Sequence, residues 1–471
     1  MRKIEYKELN ENEDYEKFEK GENDHLNYDK KRKIFIINGI KSIIACIIHA
    51  FGIFSVHIQR NFMVYLISYR RKYNNNLKFS HGYFLFPLLH LTISLTISLG
   101  GVLEDKIGPK KVIIISTLIL CSSFSMLYFS KNIIFDYFLM CLNGFGIALG
   151  NNITKKNACA YFKNRKAFIY GITHLIVAIL CAGLNLFCEK IILNPLSESP
   201  KIENIYYDES IFLNYNKLII FEISLLICIC LITLLLFIKN NPKETEKFGF
   251  GEKLESKDNI LTNNEMNLLS KKDKFKKAIY SIRALRIFLM LFSFYPTILF
   301  ILNAWRPIGI YYKRNTYYLQ ITNTLYNIAS CTASVLMAFI GDKIQFKIIF
   351  ILISFLLTFI SFSFPFSFNN DYLFISEILS VSVLFNGFNI IFGPHVMKIY
   401  GIDMYTEIEG IVGASFGIVE IICVIFAFYL ENYFSGNKDT VYHFMYFISG
   451  CFSLLSTFLG FFENEDKFKY K

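Results

Sequence analysis

The sequence predicts an all-α membrane protein of about twelve transmembrane helices, arranged as two six-helix bundles with pseudo-two-fold symmetry. Three observations carry that prediction. Of 471 residues, 54% are hydrophobic and only 18% charged, against roughly 25% charged in an ordinary soluble chain. The charges cluster in an N-terminal tail, a central block and short connectors, so that long runs are nearly free of them. A connector sequence, Asp-Lys-Ile after an apolar helix, occurs at Asp105 and again at Asp342, half a chain apart. Such a duplicate is the trace of an internal repeat. The segregation of charge has a physical cause: a charge at the centre of a bilayer costs about 2.5–3.5 kcal/mol on insertion scales.

About 20 apolar residues are needed to cross hydrocarbon. Stretches of that kind place the first six spans at residues 34–57, 80–104, 112–130, 133–154, 167–189 and 216–238. The next six fall at 286–312, 316–340, 347–367, 371–394, 408–430 and 442–462. Val112–Phe129 and Leu218–Ile238 are uninterrupted, whereas Lys41, His49 and His57 interrupt span 1. The chain divides accordingly into a tail (1–33), an N-terminal bundle (34–238), a linker (239–285), a C-terminal bundle (286–462) and a second tail (463–471). The linker is rich in Lys, Glu and Asn and has no apolar period long enough to span. One amphipathic surface helix is expected in it near 271–282. The first thirty residues contain no apolar h-region, so no cleaved secretory signal is expected.

The net charge of +11 suits basic residues flanking a membrane and meeting anionic headgroups better than it suits nucleic acid. Basic residues balance between the two sides over short loops, because the connector after span 1 carries Arg60, Arg70, Arg71, Lys72 and Lys78. The tail Lys30–Lys33 and the central block place both termini in the cytoplasm, while the choice between plasma and organelle membrane stays open. The 11 cysteines show no paired CxxC spacing and read as small core residues. No Walker-type phosphate loop, HExxH or nucleophile elbow occurs. No metal, no cofactor and no enzymatic activity are therefore expected, and the partners are a lipid bilayer and a small solute met by a monomer.

The first connector reads GGVLEDKIGPKKV, with Gly101, Asp105, Lys106, Gly108, Lys110 and Lys111; the second reads MAFIGDKIQFK, with Asp342 and Lys343. The pattern GxLxDKxGxKK resembles the loop signature of the major facilitator superfamily. That resemblance implies a transporter in which an Asp and basic residues latch two halves at the cytoplasmic face. Pro109 matches a variant common in the monocarboxylate porter and oxalate/formate antiporter branch. Two further stretches are similar to that branch: Tyr161-Phe162 through Arg165, Ala167 and Gly171 after the glycines Gly144, Gly146 and Gly150, and the run from Gly387 and Gly393-Pro394 through Gly401, Gly410, Gly413 and Gly417. What the resemblance implies is secondary active transport by alternating access, with a monocarboxylate such as pyruvate or lactate as solute, in proton symport.

The residues themselves offer candidates. On span 8, Gln320, Asn323, Asn327, Ser330 and Ser334 recur at steps of three and four and line one helical face. That face is either a cavity wall or interhelical polar glue. Titratable groups inside the spans are Lys41, His49, His57, His90, Asp136, His174, Glu222, Arg306, Glu377 and Glu420. His49 and His174 are candidates for solute or proton handling, since imidazole titrates in the useful range. His57, Asp136 and Glu377 lie near span ends and are expected to be solvated. Arg306, beside the single Trp305, either holds a carboxylate or anchors span 7 at the headgroups. Glu222 and Glu420 need a partner or a proton. The carboxylate carriers of the resembled branch place a basic residue on span 8, and some place another on span 11. The corresponding positions here are Ser334 and Phe416, so oxalate is not expected. Two rival readings stay open: an amino-acid or drug-like carrier, favoured if Glu222 or Glu420 faces the cavity and Arg306 does not, and a membrane sensor or scaffold that has lost transport.

Overall fold

The computed structural model describes residues 11–58, 63–74, 77, 79–162, 164–188, 209–239, 271–434 and 437–463. Among them are 12 helices long and apolar enough to cross a membrane, and no strands. The chain is an integral, multi-pass membrane protein. Its spans are Glu11–Ile58, Leu85–Ile107, Pro109–Phe129, the broken pair Ile133–Gly150 and Ile153–Tyr161, Lys166–Phe187 and Glu209–Leu236 in the first half. The second half holds Ile282–Tyr311, Thr316–Ile340, Phe346–Ser363, Asp371–Tyr400, Tyr405–Tyr433 and Lys438–Gly460. They are numbered 1 to 12 below.

The packing repeats between halves. In the first, span 1 packs on spans 5 and 6, span 2 on span 4, and span 3 on spans 4 and 6. In the second, span 7 packs on spans 11 and 12, span 8 on span 10, and span 9 on spans 10 and 12. Adding six to each number converts one list into the other, which is the expected pseudo-two-fold relation. The halves meet along two seams related by the same operation, span 2 on span 11 and span 8 on span 5. Within the second bundle, hydroxyl pairs join buried helix faces: Thr297 with Ser453 at 2.6 Å and Ser361 with Ser449 at 2.7 Å.

Several elements depart from expectation. Span 1 belongs to a helix that begins at Glu11, with no break at residue 33. Span 4 does not end at 154: it turns at Asn151–Asn152 and continues as Ile153–Tyr161. Span 10 runs through Pro394 to Tyr400 instead of stopping at 394. Neighbouring helices tolerate a missing N–H at such a point, and the Cβ position of Gly393 lies 2.7 Å from the Tyr170 hydroxyl of span 5. The short helix Lys271–Ile279 forms where an amphipathic one was expected, while linker residues 240–270 lie outside the described residues.

Two carboxylates expected to be solvated are buried. Asp136 is 0% exposed because Arg70, itself 1% exposed, grips it from the connector after span 1 with contacts of 2.6 and 3.0 Å. The same guanidinium donates to the carbonyls of Ser130 and Leu127, at 2.6 and 2.9 Å. Arg70 is therefore spent inside the bundle and does not count as a free loop charge. Glu377 is buried and accepts from the Ser363 hydroxyl at 2.5 Å. The side chain of His57 lies outside the described residues.

Candidate functional site between the two halves

The site is built where the seams approach the repeated connectors. Small residues bring the backbones together. A Cβ on Gly171 of span 5 would lie 2.4 Å from the Ala338 Cβ and 2.7 Å from the Ser334 carbonyl oxygen of span 8. On the other seam, a Cβ on Gly410 would meet the Ser98 hydroxyl at 2.3 Å. A Cβ on Gly101 would meet Thr406 and Glu407 at 3.0 and 2.8 Å. Gly108 closes span 2 with φ 87 and ψ 155, a conformation reserved for glycine, and Pro109 then opens span 3.

The second connector does its work across the halves. Asp342 accepts the backbone N–H groups of Ala167 and Phe168, at 2.9 and 3.0 Å, and so caps span 5. Arg165 at the N-cap position provides no side-chain cap of its own. In the first connector, Asp105, Lys106, Lys110 and Lys111 are exposed, as is Lys343 in the second. An ion pair beside them joins Glu104 to Lys156, at 3.1 Å.

One layer deeper lies a polar group that the sequence reading missed. Lys155 on the extension of span 4 is half-buried, and its ammonium donates to the Asn151 side chain at 3.0 Å. Glu409 of span 11 is its electrostatic neighbour, accepts from Asn152, and lies beside Tyr405. Tyr405 shares a short hydrogen bond with Tyr170 of span 5. Lys155 also lies in electrostatic reach of His49, His174, Cys46 and Cys159. Spans 1, 4, 5 and 11 thus place a cation, a carboxylate and two imidazoles in one inter-half layer. His49 bonds Thr154 at 3.2 Å. His174 packs its ring against Phe54 and Tyr170, with centroids 5.7 and 6.5 Å away.

The other candidates divide. On span 8, Asn323, Asn327 and Ser330 are half-buried, and neither amide hydrogen-bonds another described residue. Ser334 is buried and bonds back to the Ser330 carbonyl at 3.0 Å, so at that depth the polar stripe serves its own helix. The side chain of Gln320 lies outside the described residues. Arg306 is exposed, so it is not drawn into the layer. Trp305 packs into the second bundle's core. Glu420 is 1% exposed and pairs with His90 across the seam of spans 2 and 11, at 2.6 Å. Glu222 is fully buried in the first bundle beside Ser55. Among the described residues, both its carboxylate oxygens lack a hydrogen-bond partner. Lys155 and Glu409 escaped notice because span 4 was ended one residue short of the lysine, and Glu409 stood at the drawn start of span 11. The turn at Asn151–Asn152 lies inside a span that continues to Tyr161.

No family model and no curated protein matches the sequence. Solved structures do match. The chain superimposes on a proton:xylose symporter bound to 6-bromo-6-deoxy-D-glucose with TM-score 0.65 at 12% identity, covering 90% of this chain and 94% of that one. The human organic anion transporter MFSD10 gives 0.63 at 11%, covering 90% and 99%. The E. coli fucose:proton symporter gives 0.55 at 10%, covering 88% and 98%. Twelve spans, two interchangeable bundles and this likeness define the fold of the major facilitator superfamily.

Proposed function

We propose that this protein is a secondary active transporter of small organic anions, working as a monomer by alternating access, with its connectors and termini in the cytoplasm. The observation that carries the reading is Lys155. The cation that spans 8 and 11 lack stands instead on span 4, in the layer between the halves, where a solute carboxylate would meet it together with His49 and His174. Glu409 gives the charge logic. While ionised, it offsets Lys155. Once it takes a proton, the ammonium is left for an anion, so one proton and one monocarboxylate bind together and no net charge moves. Monocarboxylates such as pyruvate and lactate fit a site with a single cation. The MFSD10 likeness is compatible with an anionic solute.

A second reading has its own observation. Glu420 lies in the seam while Arg306 is exposed, the arrangement expected of an amino-acid carrier, whose ammonium group needs a carboxylate. The test is uptake of labelled pyruvate, lactate and a panel of amino acids into proteoliposomes, with and without an inward proton gradient. Gradient-driven pyruvate or lactate uptake, lost in Lys155→Gln, supports the first reading. Amino-acid uptake without monocarboxylate uptake replaces it with the second, and no uptake of either class by well-folded protein overturns both.

A further inference from the structure

Glu222 on span 6 is 0% exposed, and among the described residues neither of its carboxylate oxygens accepts a hydrogen bond. Its surroundings come from spans 1 and 5, and span 1 packs on both of the others. Ser55 of span 1, also fully buried, lies beside the carboxylate, but its hydroxyl donates to the Gly52 carbonyl at 2.8 Å. What Ser55 can turn towards Glu222 is therefore its lone pairs and not its hydrogen. From span 5, Cys181 and Cys188 are electrostatic neighbours of Glu222. Asn185 follows the first by four residues and precedes the second by three, which puts it on the same helical face. Its side-chain oxygen is buried and likewise lacks a partner among the described residues. The rings of Phe187 and Phe221, with centroids 5.5 Å apart, pack spans 5 and 6 together at this depth.

Carboxylate, hydroxyl and carboxamide thus offer oxygen acceptors to one region of the bundle, and no basic side chain among the described residues pairs with them. Arg70 reaches as far as Tyr215, seven residues before Glu222 on span 6, and is committed to Asp136. A buried charge left in that state is costly. The two thiols do not turn the region into a zinc centre. Among the described residues, no three His, Cys, Asp or Glu side chains gather into a group that could hold a metal of that kind.

We propose that Glu222, Ser55 and Asn185 form a site for a monovalent alkali cation, inside the first bundle and apart from the layer around Lys155. One carboxylate balances one positive charge, whereas a divalent ion would leave a net charge at membrane depth. A hard cation takes oxygen ligands and meets all three groups at once. A proton on Glu222 would serve one acceptor and leave the other oxygens unmatched. The Tyr215 hydroxyl, buried and without a partner among the described residues, stands about 10 Å further along span 6 towards the Arg70–Asp136 pair. It is the next oxygen on a route to the face opposite the connectors. The proposal rests neither on the solute nor on the alternating motion.

The test is the melting temperature of the purified full chain in detergent, at fixed pH and ionic strength, in sodium, potassium or choline chloride. Choline is too large for the site and serves as the reference. Sodium or potassium at about 100 mM should raise the melting temperature by at least about 3 °C over choline. A shift from either ion supports the proposal, and the larger of the two names the ion. In Glu222→Gln the response should vanish, and in choline this variant should melt no lower than wild type, because it removes an unpaired buried charge. Asn185→Ala should need at least about fivefold more salt for half the shift, and it serves if Glu222→Gln does not fold. Equal melting of the wild type in all three salts overturns the proposal, as does a cation response that survives both substitutions unchanged. Because no transport is measured, failure here is separate from failure of the proposed function.

Discussion

Asp342, in the connector between spans 8 and 9, caps span 5 of the opposite half by accepting the N–H groups of Ala167 and Phe168. The first turn of any helix leaves N–H groups without intrahelical partners, and the macrodipole makes that end favourable for an acidic group. Here the acidic group belongs to the other bundle, so in the proposed alternating motion closing this face would complete a helix and opening it would leave the helix uncapped.

That geometry separates two roles for Asp342. Asn caps helices about as well as Asp, whereas Ala forfeits about 1 kcal/mol. Asp342→Asn keeps one acceptor oxygen for the two N–H groups and should lose less closure than Asp342→Ala, which should open the face by a factor of about five in the closed-to-open ratio. Exchange protection of the Lys166–Phe187 amide groups reads the difference. Equal loss in both variants would mean that charge, not capping, holds this connector.

Gly171 sets how closely spans 5 and 8 approach. Its Cβ position is 2.4 Å from the Ala338 Cβ and 2.7 Å from backbone of span 8, so neither neighbour is the far end of a flexible side chain. Gly171→Val should cost about 1–3 kcal/mol of the closed form through overpacking. Gly183, with nothing near its Cβ position, should accept Ala at little cost. Thermal melts in detergent compare the two.

The Arg70–Asp136 pair is buried on both sides, at 1% and 0% exposure. Removing one partner leaves an uncompensated charge, so Arg70→Ala should destabilise the first bundle by about 3–5 kcal/mol. Arg70→Lys should also lose most of the effect, because an ammonium cannot reproduce the two-pronged grip together with the contacts to Ser130 and Leu127. Melting temperature is the readout; a Lys variant as stable as wild type would show that point charge suffices.

Arg306 and Lys155 make a paired test of where the solute binds. Arg306 is exposed, and Arg306→Gln should leave solute KM within about twofold. Lys155→Gln should raise KM for a carboxylate by about tenfold or more, the loss of a charged hydrogen bond of about 1.5–3 kcal/mol. The opposite ranking in proteoliposome uptake would move the site to the outer end of span 7.

Much of this was legible in the chain itself. Twelve spans, the two halves and the duplicated Asp-Lys-Ile connector follow from run length, charge spacing and repetition, and His49 and His174 drew notice as candidates because an ionisable group inside an apolar run stands out. Lys155 did not stand out: it falls one residue beyond the drawn end of span 4, and only packed helices reveal that the span continues. Asp136 and Glu377 were misplaced as solvated for a related reason. A position near a span end says nothing of whether Arg70 or Ser363 arrives to cover it.

By itself the sequence determined that this chain lives in hydrocarbon, crosses it about twelve times and is built twice over. Those are one-dimensional constraints, written in the length of apolar runs and the cost of buried charge. Only the tertiary structure decided which groups meet: Asn152 with Glu409 across 257 residues, His90 with Glu420 across 330, and Asp342 on the end of span 5. Partners of that kind are chosen by how helices pack against one another, and close packing depends on every side chain in the seam at once.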